Sequence, residues 1–150
     1  MFTYIDEENL VDIFTYDFIK FIENTRMSKT YKMSVFLAFY NSGDMKLEIN
    51  DNDLYKSFKE FYSKGSNGVD MIKYKSICKF KTWDKKQYVY LARKNPVHFL
   101  CKSSSKFFYL DIDKVCLNKN LEKYMNNKTF LSHVKDAINF RAEEFYRSIF

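Results

Sequence analysis

The chain predicts an α+β fold that is mostly helical, and three observations carry that prediction. Long stretches place apolar residues three and four apart, the spacing of one helix face. Few short stretches alternate apolar with polar residues as half-buried strands do. With only 3 Gly and 1 Pro in 150 residues, a loop-rich or turn-dense all-β design lacks its usual material. Hydrophobic residues make up 46% of the chain. A chain of this length buries roughly 70% of the surface its unfolded form exposes, so one domain without metal or disulfide support is expected.

The first helix is predicted over Glu7 to Arg26, where Leu10, Ile13, Phe14, Phe18, Phe21 and Ile22 mark an apolar stripe. Asp6 suits its cap, and Glu7 and Glu8 suit the positive end of the helix dipole. A second helix, Lys29 to Asn41, has Ser28 or Thr30 for a cap and Met33, Phe36, Leu37 and Tyr40 facing inward. Gly43 suits a left-handed residue after it. Met45 to Ile49 alternates as a strand, and Asn50 or Asp51 caps a third helix to about Ser63, buried through Leu54, Tyr55, Phe58, Phe61 and Tyr62. Residues 69–82 read either as a Lys-rich edge strand or as a surface loop. Thr82 or Asp84 starts a fourth helix to about Lys94, which Asn95-Pro96 breaks or kinks. Lys106 to Leu110 and Lys114 to Leu117 form a hairpin across Asp111-Ile112-Asp113. A short helix near 120–125 and a long one from Thr129 to Ser148 close the chain.

The order helix, strand, helix, helix, hairpin over residues 29–117 is that of a winged helix, a helix-turn-helix relative whose last helix enters a major groove. The expected organisation is a single domain over 1–150: an N-terminal helix (1–27), a winged-helix-like core with one β-hairpin (28–118) and C-terminal helices (119–150). The departure from the usual pattern is the long basic insertion at 64–82.

Charge is unevenly placed. The net charge is +6, yet residues 1–50 carry −3, residues 51–106 carry +8 and residues 107–150 carry +1. The densest block, 73–94, holds Lys73, Lys75, Lys79, Lys81, Lys85, Lys86, Arg93 and Lys94 against one acid, Asp84. Tyr74, Phe80, Trp83, Tyr88 and Tyr90 are interleaved. Cations that neutralise phosphates release counterions, which supplies sequence-independent affinity. Exposed rings stack on unpaired bases, and Gln87 has the donor and acceptor to read an adenine edge. Lys102 and Lys106, around a Ser triplet, add backbone contacts from the wing. The bland alternative is a core of aromatics solvated by lysines. On the acidic side, Asp12, Asp17 and Glu23 on the first helix form a face suited to a basic protein partner.

Catalytic chemistry is sparse. Two His and three scattered Cys (78, 101 and 116) show no zinc spacing, and no cofactor or metal is expected. Asp44-Met45-Lys46 and Asp84-Lys85-Lys86 match half of a nuclease pattern, as chance allows in a Lys-rich chain. Cys101 with His133 is the one conceivable thiol dyad, and a structural reading of both outweighs it. The cysteines fit small buried residues of a reducing compartment. The acidic N-terminal stretch is unlike a secretory signal, and no apolar run spans a bilayer, so a cytoplasmic protein is expected.

The string Ser28-Lys29-Thr30-Tyr31-Lys32-Met33-Ser34-Val35-Phe36-Leu37-Ala38-Phe39 resembles the start of the C-terminal accessory region of bacterial DEAD/DEAH-type helicases from restriction and phage-defence loci. Leu54 to Tyr62, Ala92 to Leu100 and Phe130 to Tyr146 extend the resemblance over about residues 28–147. The motor motifs are absent. The resemblance implies a non-catalytic module, free-standing, that handles DNA or docks on a partner. Two readings follow: a non-enzymatic nucleic-acid-binding module, DNA ahead of RNA, or a protein-interaction inhibitor of a bacterial immune complex, such as an anti-CRISPR or other anti-defence protein. The abundance of aromatics also leaves room for a homodimer patch.

Overall fold

The computed structural model describes residues 13–27, 29–41, 43–64, 67 and 80–149. It is an α+β fold dominated by helix, with six α-helices and five short strands among the described residues. The elements are α1 (Ile13–Asn24), α2 (Tyr31–Phe39), β1 (Tyr40–Asn41), β2 (Asp44–Met45), β3 (Glu48–Ile49), α3 (Asp51–Ser63), α4 (Lys85–Ala92), α5 (His98–Ser103), β4 (Phe108–Asp111), β5 (Lys114–Leu117) and α6 (Lys128–Ile149). Short 3-10 segments at Phe80–Thr82 and Lys119–Tyr124 and a π turn at Arg93–Val97 link them. Asp6, Glu7, Glu8 and Ser28, expected as caps and first-turn acids, lie outside the described residues, as does most of the 64–82 insertion.

The order of α2, β3, α3, the α4–α5 rod and the β4–β5 hairpin is winged-helix-like. The sheet supports it: β5 lies between β3 and β4, all antiparallel, with Glu48 opposite Cys116 and Tyr109 opposite Cys116 on the other side. The strand expected over 45–49 is in fact two. Asp44–Met45 folds back on Tyr40–Asn41 through Gly43, whose φ of 90° only glycine adopts without strain, and Glu48–Ile49 joins the main sheet. A second, minimal hairpin therefore accompanies the expected one. It also ends α2 at Phe39, two residues before the expected end.

The core is one continuous cluster, and α2 runs through its centre. Tyr31, Met33, Val35, Phe36, Ala38 and Phe39 are all buried, so α2 is covered on every side rather than along one stripe, and Leu37 is only half-buried. Phe108 is fully buried where α1, α2 and the hairpin meet; its ring lies 5.8 Å from that of Phe36 and 5.9 Å from those of Phe21 and Phe39. Truncating such a ring costs about 3–5 kcal/mol, a large part of the usual stability of a domain. Phe108→Ala is therefore expected to leave the chain largely unfolded at modest urea.

Caps fix where α3 and α4 begin. Asn50 and Asp53 form a reciprocal capping box on α3, and Asp84 and Gln87 form one on α4. Thr30 is the N-cap residue of α2, yet its side chain does not cap. Its Oγ1 instead shares hydrogen bonds of 2.9 Å with the hydroxyls of Tyr62 and Tyr146, tying α2 to α3 and α6.

Candidate nucleic-acid interface

Of the two outcomes expected at Asn95-Pro96, a break or a kink, the helix is not broken: it passes Pro96 through a widened turn. α4, the π turn and α5 make one rod over 85–103. Proline at 96 has no N–H to return to the preceding turn, and the backbone widens there: the His98 N–H reaches the Arg93 carbonyl, five residues back. The widening inserts one residue into both faces. The buried face runs Tyr88, Ala92, Val97, Leu100, with a five-residue step at the turn. The outer face runs Lys86, Tyr90, Lys94, Phe99, with the same step. Both faces stay in line past the proline.

The outer face is a groove of about 790 Å³ floored by Trp83, Tyr90, Leu91 and Phe99 and edged by Lys86 and Lys94. Tyr90 is 64% exposed and Phe99 46% exposed, and the Lys94 ammonium stands 5.4 Å from the Tyr90 ring centre. The other aromatics of the basic block are core or semi-core. Phe80 and Tyr88 are buried, with the Tyr88 hydroxyl donating to the Phe80 carbonyl at 2.8 Å; burial and then Tyr55 push its phenol pKa up. Trp83 packs edge-on against Tyr88 at 5.5 Å. Tyr74 lies outside the described residues.

The structure sorts the sequence-predicted cations. Lys81, Lys85, Lys86, Lys94 and Lys102 are exposed and form no ion pair among the described residues. Arg93 and Lys106 are committed: Arg93 Nε donates to Asp51 at 2.6 Å, and Lys106 Nζ to Asp17 at 2.7 Å. Lys73, Lys75 and Lys79 lie outside the described residues. Gln87 is spoken for as well. Its Oε1 accepts from the Asp84 N–H at 2.8 Å, so adenine readout competes with the cap.

Residues 102–106 precede the wing rather than forming it. The wing tip is Ile112-Asp113, flanked by Asp111 and by Lys114, which pairs with Glu48 at 3.3 Å. Its two carboxylates disfavour phosphate. On the acidic helix, Asp17 is held by Lys106, Glu23 pairs with Lys20 at 3.3 Å, and Asp12 lies outside the described residues. The face suggested for a basic partner is thus largely neutralised within the chain.

A second cavity, about 740 Å³, opens where α1 hands over to α2. Arg26, Lys29 and Lys32 line it, with Ser103, Ser104 and Tyr31, and no carboxylate among the described residues does. It shares Asn95 and Phe99 with the α4–α5 groove. The sequence reading missed it because residues 1–50 are net acidic. The local signal was the three-residue recurrence of cations at 26, 29 and 32.

Among the described residues, both nuclease half-motifs are engaged within the fold. Asp84 is used by its cap, and Lys46 of the other half-motif pairs with Asp53 at 3.1 Å. No three His, Cys, Asp or Glu side chains gather as metal ligands among the described residues. The Cys101 thiol is pushed up, by burial first, and Cys116 likewise, the opposite of what a thiolate nucleophile requires. No described helix is long and apolar enough to cross a membrane. Comparison with protein-family models, curated proteins and solved structures finds no match, so function rests on the geometry alone.

Proposed function

We propose that the protein is a non-enzymatic nucleic-acid-binding module of winged-helix-like class that works through the outer face of the α4–α5 rod. The observation that carries this reading is the segregation of its cations. Arg93 and Lys106 pair with carboxylates, while Lys85, Lys86, Lys94 and Lys102 remain exposed along one rod, with Lys81 on the 3-10 segment ahead of it, all without a carboxylate partner among the described residues. Unpaired lysines held on a rigid rod offer phosphates a preset array, and neutralising them releases counterions.

The test is binding of labelled DNA and RNA at several salt concentrations. Binding that weakens steeply with salt is expected, and Lys85→Glu with Lys86→Glu is expected to weaken it at least tenfold with the fold intact. No binding at low salt by the folded protein would overturn the reading.

A further inference from the structure

We infer that the cavity between α1 and α2 is a phosphate site for a single nucleic-acid strand, whose bases lie along Tyr90 and Phe99 in the adjoining groove. The inference rests on the nucleic-acid reading and narrows it to unpaired strands. Three observations carry it.

The cavity is built for an anion. Arg26, Lys29 and Lys32 line it, the first two ahead of α2 and the third in its first turn. The Lys32 ammonium donates to Thr25 Oγ1 at 3.0 Å and to the Arg26 carbonyl at 2.8 Å, which leaves one of its three N–H bonds uncommitted among the described residues. The cavity also adjoins the N-terminal end of α2, where Thr30 provides no side-chain cap and the helix dipole favours negative charge.

The Lys32 ammonium is the cation of this recess whose charge its surroundings disfavour. Lys32 is partly buried beside Arg141, and burial and then that guanidinium lower its pKa. Arg141, behind the lining, donates to the Thr25 carbonyl at 2.8 Å and pairs with Glu144 at 2.9 Å, and its Nε is buried with no hydrogen-bond partner among the described residues. A phosphate bound at Lys32 favours its charged form.

The cavity and the groove adjoin, with Asn95 and Phe99 lining both. The path therefore runs from lysines over exposed rings into a cationic recess. A duplex turns its phosphates outward and keeps its bases stacked inside, so it has no use for a ring-floored channel. A single strand places bases on rings and phosphates on cations at once.

The experiment compares a fluorescent oligothymidylate long enough to span both cavities with a mixed-sequence duplex, at fixed salt, on the full chain. Arg26→Glu with Lys29→Glu, both at accessible positions, is expected to weaken oligothymidylate binding roughly tenfold or more and duplex binding less than about twofold. Tyr90→Ala with Phe99→Ala is expected to do the same. Circular dichroism and melting curves establish that each variant is folded. Unchanged oligothymidylate affinity in folded Arg26→Glu/Lys29→Glu overturns the inference while leaving the broader reading standing. So does equal loss of duplex binding. Binding of neither nucleic acid by the wild type overturns the broader reading itself. Stabilisation by inorganic phosphate that Arg26→Glu/Lys29→Glu abolishes, with no oligonucleotide binding, assigns the cavity to a free phosphoryl compound and overturns the strand track. Displacement of the oligonucleotide by polyglutamate at equal charge concentration makes the recess a general anion surface and overturns it too.

Discussion

Arg93 Nε donates to the Asp51 carboxylate at 2.6 Å while a terminal nitrogen of the same guanidinium donates to the Asp113 carbonyl. One side chain thus joins the first residue of α3, the π turn and the wing. A planar donor fork can serve two acceptors at once, which an ammonium on a flexible stem does less well. The arginine in the middle of the basic block is therefore a strut of the scaffold, and the lysines on either side of it are the residues left to face a ligand.

Arg93→Ala is accordingly expected to lower stability and to spare binding. The pair is partly exposed, so its Coulomb gain is screened, and the whole loss is put at about 1–2 kcal/mol. In a chain of this size that lowers Tm by roughly 2–8 °C. Oligonucleotide affinity per folded molecule is expected to change less than about twofold, against at least tenfold for Lys85→Glu/Lys86→Glu. A double-mutant cycle with Asp51→Ala isolates the pair. A large affinity loss with unchanged melting would reverse the assignment.

The same helix shows what was legible in the sequence and what was not. Asp84 and Gln87, like Asn50 and Asp53, announce helix starts because a capping box is a local event between residues three apart. The β4–β5 hairpin is equally local. At Pro96 the sequence leaves a break and a kink open, because a proline in isolation disfavours the regular helix either way. Only the packing of Val97 and Leu100 into the core rewards a widened turn over an interruption. Thr30 was hidden for a related reason. Its hydroxyl has a local use as a cap and a distant one with Tyr62 and Tyr146, and the distant one is made. The Arg26, Lys29 and Lys32 recess depends on Asn95, Phe99 and Ser103 arriving from far along the chain, which no spacing rule reports.

The capping box gives a graded prediction. Asp84→Ala removes the acceptor for the Gln87 N–H and is expected to cost about 1 kcal/mol. Gln87→Ala removes only the return bond to the Asp84 N–H, which is exposed and regains water, so it is expected to cost less than half as much. Urea unfolding measures both. Since the Gln87 amide is held by the cap, Gln87→Ala is also expected to leave the ratio of A-rich to G-rich duplex binding unchanged; a shift in that ratio would show that the amide leaves the cap to read a base.

Lys32 makes stability depend on pH in a defined direction. Burial, then Arg141, lower its pKa in the folded state from the ordinary 10.5. Between the folded value and 10.5 the unfolded chain holds more protons, so stability from this residue rises with pH there. The penalty is fully present below the folded value and relieved by the time pH passes 10.5. Lys32→Met removes the titration. The stability of the wild type, measured by urea unfolding against this variant, is expected to climb relative to it as pH rises toward 10.5. Parallel curves would show that the ammonium is not destabilised by its surroundings.

Ile112 at the wing tip carries the last prediction. Its φ is 57°, the left-handed region that a β-branched side chain resists, and the residue is 95% exposed, so no burial compensates. Asparagine tolerates that conformation, and glycine adopts it freely but gives the unfolded chain more freedom to lose. Ile112→Asn is therefore expected to stabilise the protein by about 0.5–1 kcal/mol, with Ile112→Gly gaining less. Thermal melting decides the order. The carboxylates of Asp111 and Asp113 surround this position, so neither substitution is expected to change oligonucleotide affinity by more than about twofold. A clear affinity loss in the stabilised Ile112→Asn protein would place the strained tip in the ligand contact and explain why an isoleucine stands where asparagine or glycine fits better.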